Sequence, residues 1–296
     1  MKFIRKNWIT IIFSAILVIG ISLLLYPTVS DYWNSFHQSR AIASYAEAVS
    51  KVDKTDYKKM LEEARKYNKS LLSNNDRWNP TKKQEKEYDS ILDVTGTGIM
   101  AYIDIPSIKV SLPIYHGTNE GILQIAIGHI EGSSLPVGGK STHCVISGHR
   151  GLPSAKLFTD LDKLTEGDTF EIRVLNETLT YEVDQILIVK PDDVTALGIE
   201  EDKDLVTLVT CTPYGINSHR LLVRGHRIAT KDKTSIRVTA EAQQVDTRIV
   251  AAVVAVIIFV LMFIFNQIKR LVKKRKEKKL LQADKKGSEP EKTEKQ

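Results

Sequence analysis

Two long apolar runs limit which part of the chain can fold as a water-soluble domain. Residues 9–26 and 249–265 carry no charged side chain. At about 1.5 Å per helical residue, each run approaches the roughly 30 Å hydrocarbon core of a bilayer. Positive residues flank both runs and are expected to stay cytoplasmic. They are Lys2, Arg5 and Lys6 before the first, and Lys269, Arg270, Lys273, Lys274, Arg275 and Lys276 after the second. The pattern predicts a two-pass membrane protein with both termini inside and the middle outside.

Each run has alternative interpretations. The first could be a cleaved signal peptide, but its apolar core exceeds the usual length of about 7–15 residues, and no small-x-small site follows promptly. Whether it is cleaved stays open. The second could be a buried core helix, although a basic tail follows it directly. It could also belong to a cell-wall sorting signal, which needs a Leu-Pro-x-Thr-Gly motif just upstream, and the sequence has none there.

The formal net charge of +6 is misleading as a whole-chain figure, because the positive charge is concentrated locally. Much of the excess lies in residues 269–279, beside the second apolar run, where anionic lipid is the natural counterpart. No basic stripe is interleaved with aromatic residues, so no nucleic-acid partner is expected.

Between the apolar runs, the pattern changes from helical to strand-like. Residues 31–73 favour two helices with a break at 52–56, where Asp53 or Thr55 could cap the second helix. From residue 98, short β-type runs alternate with Gly, Pro or Asn breaks, and a short helix is predicted over 156–164. The predicted strands are 99–105, 110–114, 124–127, 142–146, 169–175, 179–189, 205–210 and 221–228. Eight such strands suggest a closed β-barrel.

Three residues with complementary chemistry stand at the ends of these strands. Cys211 follows the run 205–210 just before a Thr-Pro-Tyr-Gly turn, so its thiol should face a cleft. His149 follows the run 142–146, and Arg220 precedes the last strand. A thiol nucleophile needs a proton acceptor, and the carbonyl it attacks needs a fixed positive donor. These are the candidate catalytic residues.

The other cysteine and histidines have simpler interpretations. Cys144 lies in mid-strand and is expected to be a small buried residue. A Cys144–Cys211 bridge would abolish thiol chemistry, and a zinc site lacks any Cys-x-x-Cys or close histidine pair, so neither metal nor cofactor is expected. His219 should point away from the face that carries Arg220, because side chains alternate along a strand. His226, like His219, is not a catalytic candidate, and three further histidines, His116, His129 and His143, are predicted to be structural.

The motifs around these residues resemble those of the sortases, cysteine transpeptidases of Gram-positive bacteria. The resemblance is carried by Thr-Leu-Val-Thr-Cys at 207–211, Gly-His-Arg at 148–150 and the arginine at 220. The Thr-Cys-Thr-Pro-Tyr-Gly form and Leu-Phe-Thr-Asp-Leu at 157–161 are similar to class C, the pilin-polymerising sortases. The match is detailed over 98–227. It implies an eight-stranded barrel, cleavage of a Leu-Pro-x-Thr-Gly-type signal between Thr and Gly, and transfer to a pilin lysine.

Class C sortases often carry a loop, the lid, that places an Asp-Pro-aromatic motif over the catalytic cysteine. Here the motif would be Asp76-Arg77-Trp78, with arginine where proline is expected. The resemblance implies that Trp78 covers the cleft and that Asp76 pairs with Arg220. Because proline would restrict φ, its absence predicts a weaker closed state. Alternatively, Trp78 packs the helices against the barrel.

The sequence therefore predicts a mainly β protein, an eight-stranded sortase-type barrel with a helical, lid-bearing extension and two flanking transmembrane helices. Its expected partners are the membrane and pilin subunits with sorting signals. The alternatives are a wall-anchoring sortase with a peptidoglycan amine acceptor and a non-enzymatic surface scaffold. The predicted segments are a cytoplasmic and transmembrane part (1–30), a helical extension (31–97), a catalytic barrel (98–230), a linker (231–248), a second transmembrane helix (249–268) and a cytoplasmic tail (269–296).

Overall fold

The computed structural model describes residues 2–74 and 76–230 almost completely. Beyond residue 230 it describes only Val260, Phe263, Ile264, Gln267, Lys269 and Arg270. The predicted linker (231–248), and nearly all of the second transmembrane helix (249–268) and the tail (269–296), therefore lie outside the described residues. The helices and the barrel described below belong to one compact unit.

The chain begins with a single long helix, α1 (Lys2–Ser50), which continues through Pro27. Within the described part of the chain, one helical segment, Ala15–Ser50, has the length and composition to cross a membrane; a signal sequence would meet the same criterion. The predicted break follows α1. Asp53 then caps α2 (Lys54–Leu71) by accepting hydrogen bonds from the backbone N–H groups of Thr55 and Asp56. Of the two predicted N-cap candidates, Asp53 and Thr55, the structure selects Asp53.

A third helix, α3 (Lys82–Ser90), is not among the elements predicted from the sequence. A reciprocal capping box between Thr81 and Gln84 starts this helix. The helix buries a single side chain, that of Tyr88. With one apolar position in nine residues, it has no apolar periodicity, and periodicity is the main sequence signal for a helix.

Eight strands close into a barrel, as predicted. They are β1 (Ile99–Ile105), β2 (Val110–His116), β3 (Ile127–His129), β4 (Thr142–Ser147), β5 (Thr169–Val174), β6 (Glu177–Val189), β7 (Asp204–Thr212) and β8 (His219–Ile228). Their order around the barrel is β1-β2-β3-β4-β7-β8-β6-β5. The pairs β2–β3 and β4–β7 are parallel, and the other neighbouring pairs are antiparallel.

Two predicted elements differ in the structure. The strand expected at 124–127 is instead β3, at Ile127–His129, and Asn119 caps a short helix, α4 (Glu120–Leu123), before it. The helix expected over 156–164 is reduced to one 3₁₀ turn, Leu161–Lys163. In both places the run is too short for apolar periodicity to separate helix, strand and turn.

Apolar side chains pack on both faces of the sheet. The interior cluster includes Ile103, Ile127, Val206, Leu208 and Val223, and burial of each such side chain contributes roughly 1.5–3 kcal/mol. A smaller group, here called the outer cluster, packs on the outside of β4, β7 and β8. It consists of Val145, Leu197, Val209 and Leu222.

Buried polar contacts fasten the helices to the barrel. The Tyr45 hydroxyl on α1 donates to the Met100 carbonyl (3.0 Å) and accepts from the Leu175 N–H (2.8 Å). The Asn68 amide on α2 makes two hydrogen bonds with the backbone of Leu135. On α3, the Tyr88 hydroxyl lies 2.8 Å from Nδ1 of His129. The helical extension is therefore an integral part of the domain.

His129 generates a prediction about stability and pH. It is fully buried, and Nε2 lies 2.9 Å from the Ser134 carbonyl, so a neutral ring satisfies both nitrogens. Desolvation lowers the pKa of His129 from 6.5 to about 4. As the pH falls, His129 takes up a proton in the unfolded chain before it does so in the folded chain. The free energy of unfolding therefore decreases by on the order of 2–3 kcal/mol as the pH drops from about 6.5 towards 4.

The His129→Gln variant keeps a donor and an acceptor but cannot titrate. Its melting temperature should change less between pH 6.5 and 4.5 than that of the wild type, measured by thermal unfolding of residues 31–230. The same pH dependence in both proteins would show that His129 is not the titrating group.

Candidate active site

The three candidate catalytic residues lie on neighbouring strand ends. β7 stands between β4 and β8, and Cys211 on β7 is the direct cross-strand partner of Arg220 on β8. On the other side, the last β4–β7 pair joins Ser147 to Val209. His149 and Cys211 each follow that pair by two residues, so the histidine lies beside the cysteine at the same end of the barrel. The order across the barrel end is the His149 loop after β4, then Cys211 on β7, then Arg220 on β8.

The pleat of β7 decides where the thiol points. Leu208 belongs to the interior cluster and Val209 to the outer cluster, so Cys211 shares the outer face with Val209. Cys211 is partly exposed and free. Cys144 is also free but only 3% exposed, and burial raises the pKa of its thiol well above the usual value. The bridge between the two cysteines is not formed.

The loop that carries His149 is held tightly by β7. The Gly148 N–H donates to the Val209 carbonyl (3.0 Å), and the Gly148 carbonyl accepts from the Thr210 hydroxyl (2.7 Å). A Cβ at Gly148 would lie 2.7 Å from side-chain atoms of Ile127 and Phe158, so only glycine fits there. This packing explains the glycine of the Gly-His-Arg motif.

Arg150 is a second link, and it is not among the residues singled out from the sequence. Its guanidinium pairs with Asp162 and donates to the Thr212 hydroxyl (3.3 Å), next to Cys211 in the chain. It also lies 5.8 Å from the Tyr214 ring centroid, in the β7–β8 turn. Arg150 therefore ties the His149 loop to the cysteine strand. Its position directly after His149 in the Gly-His-Arg motif is the sequence feature that could have identified it.

Arg220 and Arg224 share a strand face but differ in their partners. Nη1 of Arg220 donates to the carbonyls of Asn217 (3.2 Å) and His219 (3.1 Å). Among the described residues, no protein acceptor contacts its Nε or Nη2. By contrast, Arg224 forms two hydrogen bonds with Asp184 (3.0 and 3.1 Å) and one with Glu200 (3.0 Å). Arg220 thus retains donors for a ligand, whereas Arg224 is a structural charge.

The predicted lid loop packs on the outer cluster. Trp78 lies against this cluster. Within the cluster, Val209 is two residues before Cys211, and Leu222 is two residues after Arg220. The expected pair between Asp76 and Arg220 is not formed. Instead, the Asp76 carboxylate accepts a hydrogen bond from the Asn79 side chain at 2.7 Å. The aromatic residue therefore lies beside the candidate site, while the acidic residue stabilises the loop itself.

Arg77, which stands where proline was expected, holds the loop through contacts of its side chain. Its guanidinium stacks on the Trp78 ring, 4.5 Å from the centroid, and donates to the Leu197 carbonyl at 3.1 Å. Leu197 lies in the connection between β6 and β7. His143 holds the next carbonyl, that of Gly198, through Nδ1 at 2.7 Å. The lid and the β6–β7 connection are therefore joined along one side of the outer cluster.

The comparisons with known proteins agree with this geometry. A family model described as the sortase domain matches residues 103–228. The chain is 55% identical to the solved sortase C1 of Streptococcus agalactiae, with a TM-score of 0.63, covering 64% of this chain and 99% of that one. The chain belongs to the class C sortase family. Sortase C of Streptococcus pneumoniae is also similar, at 44% identity and a TM-score of 0.58, covering 64% of this chain and 97% of that one.

The curated relatives are more distant. Sortase D of Bacillus subtilis is 30% identical over 129 residues, which are 43% of this chain. The matched part spans 62% of the length of that relative. Membership of a family of cysteine transpeptidases confirms the expected class of enzyme.

The lid geometry generates a prediction about thiol labelling. Trp78→Ala should raise the rate at which iodoacetamide alkylates Cys211 several-fold, because the indole packs on the cluster that flanks the cysteine. Cys144 should remain unlabelled in the native protein, since it is buried. Mass spectrometry of the labelled peptides measures both rates.

Asp76→Ala is the matched control for this prediction. Its carboxylate bonds only within the loop, so its effect should be smaller than that of Trp78→Ala. Equal labelling rates for the wild type and Trp78→Ala would mean that Trp78 only packs the extension against the barrel.

Proposed function

We propose that this sortase is a membrane-anchored cysteine transpeptidase that joins pilin subunits. It would cleave a Leu-Pro-x-Thr-Gly-type signal between Thr and Gly and transfer the new acyl group to a pilin lysine. The observation that carries the proposal is the direct pairing of Cys211 with Arg220, with the His149 loop on the opposite side of Cys211. This arrangement supports a nucleophile on β7, a cationic donor on β8 and a proton carrier in the loop that follows β4.

In the first half of the reaction, Sγ of Cys211 attacks the threonine carbonyl. His149 accepts the thiol proton, either during attack or beforehand in a thiolate–imidazolium pair. The free Nε and Nη2 donors of Arg220 face the developing oxyanion, while Nη1 stays fixed by two turn carbonyls. The intermediate collapses to a thioester, and His149 returns the proton to the departing glycine amine. Every proton is conserved in this step.

In the second half, an amine resolves the thioester. The lysine nitrogen attacks the acyl carbon, His149 accepts the amine proton, and the Cys211 thiolate leaves and is reprotonated. An isopeptide bond replaces the thioester. The similar sortase C of Streptococcus pneumoniae is described in terms of its pilin substrate specificity, and a sortase C1 that is 46% identical to this chain is named for a pilus island. These relatives favour a pilin acceptor over a peptidoglycan amine.

Anchoring by α1 would help the reaction. The helix carries the apolar run 9–26 directly into the catalytic domain without an intervening linker. Substrates held in the same membrane would meet the enzyme at a high effective concentration. We propose an extracellular catalytic domain on this basis, with the second apolar run 249–265 as a further span.

The deciding experiment mixes the protein with a sorting-motif peptide and either a pilin domain or a peptidoglycan stem peptide. Mass spectrometry should detect a thioester on Cys211 and an isopeptide product with the pilin lysine. Cys211→Ala should abolish both, and Cys144→Ala should retain most of the activity. A product only with the stem peptide would indicate a wall-anchoring sortase. Unchanged turnover in Cys211→Ala would contradict the assignment of the nucleophile. No turnover in the wild type would contradict the proposal and favour a scaffold.

Arg220→Lys tests the role of the planar fork. Lysine keeps the charge but loses the donor geometry, so turnover of the peptide should fall by about 10²–10³-fold, as for loss of an oxyanion donor. Arg224→Lys is the matched control on the same strand face. It breaks a bidentate pair with Asp184, so it should lower the melting temperature. Its turnover should fall much less than that of Arg220→Lys. Equal losses of turnover in the two variants would make Arg220 a structural charge as well.

A further inference from the structure

The course of α1 relates the active-site end of the barrel to the apolar run. Near its C-terminal end, Tyr45 is bonded to Met100 and Leu175, at the end of the barrel where β1 begins and β5 stops. Further towards the N-terminus, Asn34 donates to the Ser154 carbonyl (2.8 Å) and Gln38 to the Ile125 carbonyl (2.6 Å). These carbonyls lie at the other end of the barrel, just before β3 and in the loop that follows β4.

That second end is the one that carries the active site. β4 and β7 run in parallel, so the His149 loop and Cys211 emerge together there. The distances agree with this path. About 14 helical residues separate Tyr45 from Asp31, a rise of about 21 Å, and a six- or seven-residue strand spans about the same length. From Tyr45 to Asp31, α1 therefore crosses the barrel from its far end to the active-site end.

The uncharged part of α1 begins directly beyond this point. No residue from 7 to 30 is charged, and Asp31, the first charge after Lys6, already accepts a hydrogen bond from the Lys156 N–H at 2.7 Å. Lys156 and Ser154 both belong to the loop that follows His149. The barrel is therefore docked within about one helical turn of the membrane-type segment, and no flexible linker separates them.

Apolar side chains that lack cover in the described structure are found at this end. On α1, Trp33 is 64% and Phe36 is 51% exposed. In the β7–β8 turn, Tyr214 is 61% and Ile216 is 72% exposed. The His149 loop connects this turn to α1. A Cβ at Gly151 of the loop would lie 2.8 Å from the Tyr214 ring, and the Ser154 carbonyl of the same loop accepts a hydrogen bond from Asn34 on α1. Aromatic residues with one apolar and one polar side are typical of the lipid headgroup region.

We propose that the active-site end of the barrel rests on the outer surface of the bilayer. The β7–β8 turn and the exposed side of α1, with Trp33 and Phe36, insert into the headgroup layer. The proposal rests on the membrane anchoring by α1 proposed above. Its consequence is that Cys211 works close to the membrane surface, where it meets a scissile bond that directly precedes the membrane segment of a substrate.

The test uses the full chain in vesicles of phosphatidylcholine brominated near the headgroup, which quenches nearby tryptophan fluorescence. The chain has three tryptophans, Trp8, Trp33 and Trp78. Double Phe substitutions leave Trp8 or Trp33 alone. Ile216→Trp and, as control, Lys140→Trp are made in the background that lacks all three. Lys140 is 81% exposed and stands before β4, at the far end of the barrel.

We expect quenching of Trp8, of Trp33 and of the Ile216→Trp probe, with no loss of fluorescence from the Lys140→Trp probe. Quenching of Trp8 without quenching of Trp33 and Ile216→Trp would leave the anchor in place but overturn the orientation. Equal quenching of Ile216→Trp and Lys140→Trp would also overturn it. If Trp8 itself is not quenched, anchoring by α1 fails, and the orientation fails with it.

Discussion

The register of β7 between its two neighbours is the constraint on which the active site depends. β7 pairs in parallel with β4 and antiparallel with β8, from Leu205↔His226 to Thr212↔His219. A slip of one residue would turn Cys211 into the barrel, because side chains alternate between the two faces of a strand. The same slip would move the polar Thr207 into the interior in place of Val206 or Leu208, so apolar packing disfavours it. The same apolar packing that stabilises the barrel therefore aims the thiol outwards beside Arg220.

Polar side chains then shape the surface next to the thiol. Three of them hold the β6–β7 connection: Arg77 bonds to Leu197, His143 to Gly198, and Arg224 to Glu200. Burial lowers the pKa of His143, so its neutral ring can donate to Gly198 and accept from Thr207. One of these three residues, Arg77, belongs to the predicted lid loop. Movement of this loop would therefore release one of the contacts that hold the β6–β7 connection.

The helical extension has a structural role that its composition alone does not reveal. α1 bonds to both ends of the barrel, and its contacts at Asp31 and Asn34 hold the loop that follows His149. The helix that carries the apolar run 9–26 is thus hydrogen-bonded directly to the loop that contains His149. In the proposed function, anchoring and catalysis would be coupled through this geometry, because no flexible linker intervenes.

The sequence by itself determined the features that depend on local chemistry. Alternation and turn residues predicted every strand except β3 to within two residues at each end. Capping side chains limited the start of α2 to Asp53 or Thr55, and mid-strand placement predicted that Cys144 is buried. Only the tertiary structure decided the features that join distant residues. In the structure β3 starts three residues later than predicted, and Asp76 bonds to Asn79 and not to Arg220. Arg77 donates a hydrogen bond to the carbonyl of Leu197, which is 120 residues away in the chain. Such contacts depend on strand register and on which faces of the helices, loops and sheet pack together, and neither can be predicted from a local run of residues.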